Sequence, residues 1–112
     1  FAILNTDSSF SNDIKTSNDV LIEAEKKWQT DPLLAIDLYK SIVSSDSTSE
    51  SGLRAAYFLA YNYDYNFVRP DSAKRFYEWI IKHHEVSDQA KSSKARLALI
   101  SNILTKNSNV KN

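Results

Sequence analysis

The sequence predicts an all-α fold of about five helices. Three observations carry that expectation. The 112 residues contain one glycine and two prolines, apolar residues recur at helical spacing, and the breaks between those stretches are short and polar. A chain of this length normally carries about eight glycines. Tight hairpins, phosphate-cradling loops and dinucleotide-binding turns depend on glycine for backbone with φ > 0, so Gly52 alone argues against P-loops, nucleotide folds of that kind and multi-hairpin sandwiches. The length suits one domain, and the 42% apolar and 25% charged fractions are those of a globular chain.

Residues 1–17 mix Ser, Asn, Asp and Thr with scattered apolar positions and show no period, which reads as a polar arm or linker. The first helix is expected from Ser17 or Asn18, either of which can cap it, to Gln29. Glu23 and Glu25 come early, Lys26 and Lys27 late, and Leu21, Ala24 and Trp28 share one face. Asp31-Pro32 supplies an N-cap and a proline at the first helical position. The second helix follows to about Ser44, with Ala35, Leu38, Tyr39 and Ile42 on its stripe. The run Ser44 to Ser49 breaks it, because short hydroxyl and carboxylate side chains compete for backbone hydrogen bonds.

A third helix is expected from Ser49 to Tyr65, carrying Leu53, Ala56, Tyr57, Ala60, Tyr61 and Asp64 at helical spacing. Pro70 opens a fourth, to about His84, with Ala73, Phe76, Tyr77, Ile80 and Ile81. Ser87-Asp88-Gln89 starts a fifth, to Lys106, carrying Ala90, Leu97, Ile100 and Leu104. The helical domain thus spans 18–106, and the polar tail 107–112 is expected to fray.

Charge and composition narrow the function classes. A formal net charge of zero argues against nucleic acid, whose binders carry a basic face. No apolar run approaches the roughly 18–20 residues of a membrane-spanning helix. Without cysteine there is neither a disulfide scaffold nor a thiolate metal site. His83 and His84 are adjacent and point about 100° apart on a helix, so they cannot share one metal as i, i+4 histidines do. No nucleophile elbow or Glu-x-x-His pattern occurs. The expectation is a chain with no enzymatic activity, metal or cofactor. With no initiating Met and no signal peptide at residue 1, it also reads as a processed chain or an excised domain.

Sliding the chain against itself at an offset of 38 places Pro32 on Pro70, Ala35 on Ala73, Tyr39 on Tyr77, Ile42 on Ile80 and Ser49 on Ser87. Leu21, Leu59 and Leu97 fall in line, as do Ala60 and Ala98. The unit is a helix, a turn, and a second helix opened by proline. Its segment from Ala56 to Tyr63, followed by Asp71 to Tyr77, resembles the tetratricopeptide repeat, a 34-residue helix pair. Leu59-Ala60 stands at the family's Leu-Gly position, Tyr63 at an aromatic position and Ala73 at a small one. The junction from His83 to Ala90 looks like that of bacterial cell-envelope members, with Glu85 where they have proline. Sel1-like repeats are the nearest alternative.

The resemblance implies antiparallel helix-turn-helix repeats stacked as a short right-handed solenoid, with Ala60 and Ala98 permitting close approach. It also implies a non-catalytic scaffold that binds a protein or peptide in a concave groove made by the first helix of each unit, and it leans toward the periplasm or cell envelope. Carried onto this sequence, the groove residues are Arg54, Tyr57, Tyr61 and Asp64 from helix three, Glu23 and Lys26 from helix one, and Asn102 from helix five. Tyrosine suits such a surface, since it offers large contact area and a polar tip at low entropic cost. The competing expectation is a spacer segment of a larger protein, with no ligand of its own.

Overall fold

The computed structural model describes residues 16–110; the arm expected over residues 1–17 falls almost wholly outside them, as do the last two residues of the tail. The described residues form five α-helices: α1 (Ser17–Lys27), α2 (Pro32–Ser45), α3 (Glu50–Tyr61), α4 (Pro70–His83) and α5 (Asp88–Val110). No strand occurs among them. Each helix packs against the next in order, and α1 also touches α3.

The start signals are mostly those the sequence offers. Asp31 accepts the Leu34 N–H (3.3 Å) ahead of Pro32, and Ser49 accepts the Gly52 N–H (3.0 Å) at the start of α3. Ser87 accepts the Ala90 N–H (3.0 Å) at the start of α5. The cap of α1 differs from expectation. Thr16, not Ser17 or Asn18, forms a reciprocal capping box with Asp19. Ser17 is thereby released to donate to Asp46 at the end of α2 (2.6 Å). That bond and the hydroxyl of Ser49 hold the Asp46 carboxyl below its ordinary pKa, so one side chain links the starts of α1 and α3 to the end of α2. Helix α5 continues through Val110, because nothing between Lys106 and Val110 is a proline or glycine that would end it.

The end of α3 is the main departure. Regular α-helix stops at Tyr61, and Asn62–Asn66 forms a π-turn in which the Phe67 N–H reaches the Asn62 carbonyl (2.9 Å). The Asn62 side chain donates to the Phe58 carbonyl (2.8 Å), and Asn66 donates to Asn62. The Asn62 amide thus adds a second donor to a carbonyl that its own backbone N–H also reaches, and Asn66 secures that side chain. The chain leaves through Val68, whose φ of 53° is costly for a β-branched residue, on the order of 1–3 kcal/mol. The Arg69 N–H bond to the Tyr63 carbonyl (2.7 Å) helps hold it there.

The core follows the expected stripes. Leu21 and Ala24 of α1, Ala35, Tyr39 and Ile42 of α2, and Leu53, Ala56 and Leu59 of α3 are buried together. Tyr39 stacks on Phe58 (4.1 Å between centroids), and Trp28 meets Phe58 edge-on (5.0 Å). Such pairs add about 0.5–1.5 kcal/mol beyond the area they bury. A second cluster of Ala60, Ala73, Tyr77 and Ile100 joins α3 to α4 and α5. Ala60 makes the close approach expected of it, at 0% exposure. Ala98 does not: it faces solvent, because Ile100, two positions on, sets the buried face of α5.

Candidate interaction groove

Residues Arg54, Tyr57 and Tyr61 lie at i, i+3 and i+7 on α3, so one stripe of that helix carries all three. That stripe opens into a groove of about 560 Å³, walled by Leu21 and Glu25 of α1 and closed at the other side by Gln89 of α5. Tyr57 is half-buried and Tyr61 is 49% exposed. A second hollow of about 340 Å³ shares both tyrosines and adds Tyr65, Arg96 and Leu99. The Tyr61 and Tyr65 rings lie 4.8 Å apart, and the Arg96 guanidinium sits 4.8 Å from the Tyr65 centroid. A continuous aromatic ridge therefore runs between the two hollows.

The only charge pair in the first hollow is Arg54–Glu25, at 3.5 Å with both side chains about half-exposed. An exposed pair of this kind is worth roughly 0–1 kcal/mol. Its groups can exchange each other for an incoming carboxylate or amide at little cost.

Of the seven residues expected to line the groove, these three are brought together and four are not. Lys26 and Asn102 are exposed but line neither hollow, and half-buried Glu23 lies outside both. The α1 wall is instead the Leu21–Glu25 turn. Asp64 is committed to the fold. Its side chain is 3% exposed; it accepts from Arg96 Nε (2.5 Å) and Nη2 (2.9 Å), and from the Tyr77 hydroxyl (2.9 Å). The π-turn accounts for this placement, since it ends regular helix three residues before Asp64. Groove residues that the spacing did not single out are Glu25, Tyr39, Asn62, Gln89 and Arg96. Tyr65 was missed as well, although it lies one further helical step from Tyr61 and spacing alone could have found it.

No family model, curated protein or solved structure matches this chain. Geometry must therefore carry the functional reading. Among the described residues no three His, Asp or Glu side chains are placed to hold a metal ion. His83 and His84 instead lie near the Trp79 ring, with centroids at 4.7 and 5.6 Å. Also among the described residues, no helix is long and apolar enough to cross a membrane.

Two phenols beside the groove make stability pH-dependent. Burial, reinforced by the Glu25 carboxylate, pushes Tyr39 up to about 12. Burial and the hydrogen bond to Asp64 push Tyr77 well above the ordinary tyrosine range. In the unfolded chain both ionise near 10. Their contribution is therefore complete below about pH 10 and is lost above it, as the unfolded phenols release protons that the folded ones retain. Each adds a slope of up to about 1.4 kcal/mol per pH unit. Urea unfolding at pH 9, 10 and 11 should show stability falling, and the Tyr77→Phe variant should fall less steeply. Equal slopes would show that the Tyr77 hydroxyl ionises freely in the folded protein.

Proposed function

We propose that this chain is a non-catalytic scaffold of tetratricopeptide-like helix pairs, stacked as a short right-handed solenoid, that binds a peptide segment along the Arg54–Tyr57–Tyr61 stripe. The repeat part of this reading is supported by α2 and α4. Both open at a proline, both run for 14 residues, and both bury the same positions: Ala35 and Ala73, Tyr39 and Tyr77, Ile42 and Ile80. Helices α3 and α5 start 38 residues apart as well, at Glu50 and Asp88. A helix pair of this kind cannot bury its apolar face alone, so neighbouring pairs share a core.

The observation that carries the binding part is the ridge itself. Tyr61 and Tyr65 are 49% and 51% exposed, stand beside concave space on both sides, and are held in place by ring contacts. Rigid tyrosines flanked by adaptable polar groups such as Gln89 and Arg54 are the composition of recognition surfaces. Peptides selected from a random displayed library against the wild-type chain should lose at least about tenfold in affinity with Tyr57→Ala or Tyr61→Ala, roughly 1.4 kcal/mol or more. The helical circular dichroism signal should be unchanged. Failure to select any peptide would instead favour a spacer segment, the reading to which the Glu25–Arg54 pair inside the groove also lends itself.

A further inference from the structure

A cavity of about 660 Å³ lies between α2, α4 and the α2–α3 connection, and shares no lining residue with the tyrosine groove. Its charge is one-sided. Lys40 reaches it from α2, Arg75 and His83 reach it from α4, and neither Asp nor Glu lines it. Three basic side chains elsewhere are matched, Arg54 by Glu25, Lys74 by Glu78 and Arg96 by Asp64. Among the described residues, no carboxylate pairs with Lys40, Arg75 or His83. The Lys40 ammonium lies instead 5.7 Å from the centroid of the Tyr63 ring.

One wall of the cavity is flat and aromatic. Tyr63 and Phe76 stack with centroids 5.8 Å apart and planes 4° from parallel, and Trp79 lines the cavity beside them. Ser47 and Ser72 line the same cavity. Unmatched cations around a concavity concentrate anions there. An arginine fork fits phosphate with two parallel hydrogen bonds, and aromatic faces hold a planar ring by offset stacking. The volume lies within the roughly 300–1,000 Å³ of small-molecule sites.

The geometry points to this cavity as a binding site for a small organic phosphate bearing a planar ring, a nucleoside monophosphate in chemical class. Lys40 and Arg75 meet the phosphate, and Phe76 and Trp79 meet the ring. This site is independent of the peptide groove and of the repeat reading.

The test is calorimetric and fluorescence titration of the full chain with AMP, adenosine and inorganic phosphate. AMP is expected to bind saturably and to perturb tryptophan emission. Adenosine and inorganic phosphate should each bind at least about tenfold more weakly, since each lacks one half of the ligand. Lys40 and Arg75 are exposed side chains outside the core, so K40A and R75A should keep the wild-type circular dichroism while each weakens AMP by about tenfold. Tyr61→Ala should leave AMP binding unchanged, which separates this site from the groove. No saturable AMP binding, equal affinity for AMP and either fragment, or AMP affinity indifferent to both K40A and R75A would each overturn the assignment.

Discussion

Replacing Gly52 by alanine should destabilise the protein by about 2 kcal/mol or more, lowering the melting temperature by roughly 10 °C. Propensity alone predicts the opposite. Gly52 lies in the first turn of α3, and alanine in a helix is favoured over glycine by about 1 kcal/mol. Its φ is not positive, so no backbone conformation requires glycine there. The obstacle is space. A Cβ at position 52 would collide with the carbonyl oxygen of Asp46, where the end of α2 passes over the start of α3.

A flexible side chain could move aside, but this atom belongs to backbone that is held on three sides. The Asp46 N–H bonds the Ile42 carbonyl (2.9 Å), its carboxylate accepts from Ser17 (2.6 Å), and Ser49 also bonds it. Relief of the clash must therefore shift the α2–α3 connection or loosen the attachment of α1, and the steric cost exceeds the propensity gain. Thermal melting followed at 222 nm decides it. A melting temperature equal to or above that of the wild type would mean the connection yields freely. The lone glycine of the chain thus marks a close approach of two helices, a different use from the positive-φ turns whose scarcity its count first signalled.

Much of the architecture was legible because it rests on local rules. Asp31-Pro32, Ser49, Pro70 and Ser87 announce helix starts through chemistry confined to three or four residues. The apolar period identified Ala35, Tyr39, Ile42, Ala73, Tyr77 and Ile80 as buried positions without reference to what covers them. What periodicity cannot supply is the phase of one helix against another. That is why Glu25 lines the groove where Glu23 and Lys26 were expected, and why Ala98 faces solvent while Ile100 is buried. The π-turn was hidden for a related reason. It shifts the residues after Tyr61 by part of a turn, so Asp64, placed on the groove stripe by a regular helix, is directed into the structure. Nothing in local spacing joins Asp64 to Arg96, which lies 32 residues away.

That pair carries the second large effect: Arg96→Leu should cost about 3 kcal/mol or more. The magnitude follows from which partner is left behind. The Asp64 side chain is 3% exposed and that of Arg96 25%, so removing the arginine strands a carboxylate away from water with only the Tyr77 hydroxyl as donor. An uncompensated buried charge is far costlier than a lost surface pair, worth about 0–1 kcal/mol. Arg96→Lys should recover only part of the loss. A point-charge ammonium cannot reproduce the two bonds from Nε and Nη2 while also sitting over the Tyr65 ring as the guanidinium does. The double variant Arg96→Leu/Asp64→Leu should be more stable than Arg96→Leu alone, because it removes the stranded charge, and a double-mutant cycle in urea measures this directly. Should Arg96→Leu cost no more than about 1 kcal/mol, as an exposed pair would, the carboxylate reaches water more freely than its burial implies. The consequence extends to the groove. Asp64 ties the π-turn to α5 between Tyr63 and Tyr65, so loosening it frees the end of the aromatic ridge, and peptide affinity should fall in Arg96→Leu even though the ridge tyrosines are intact.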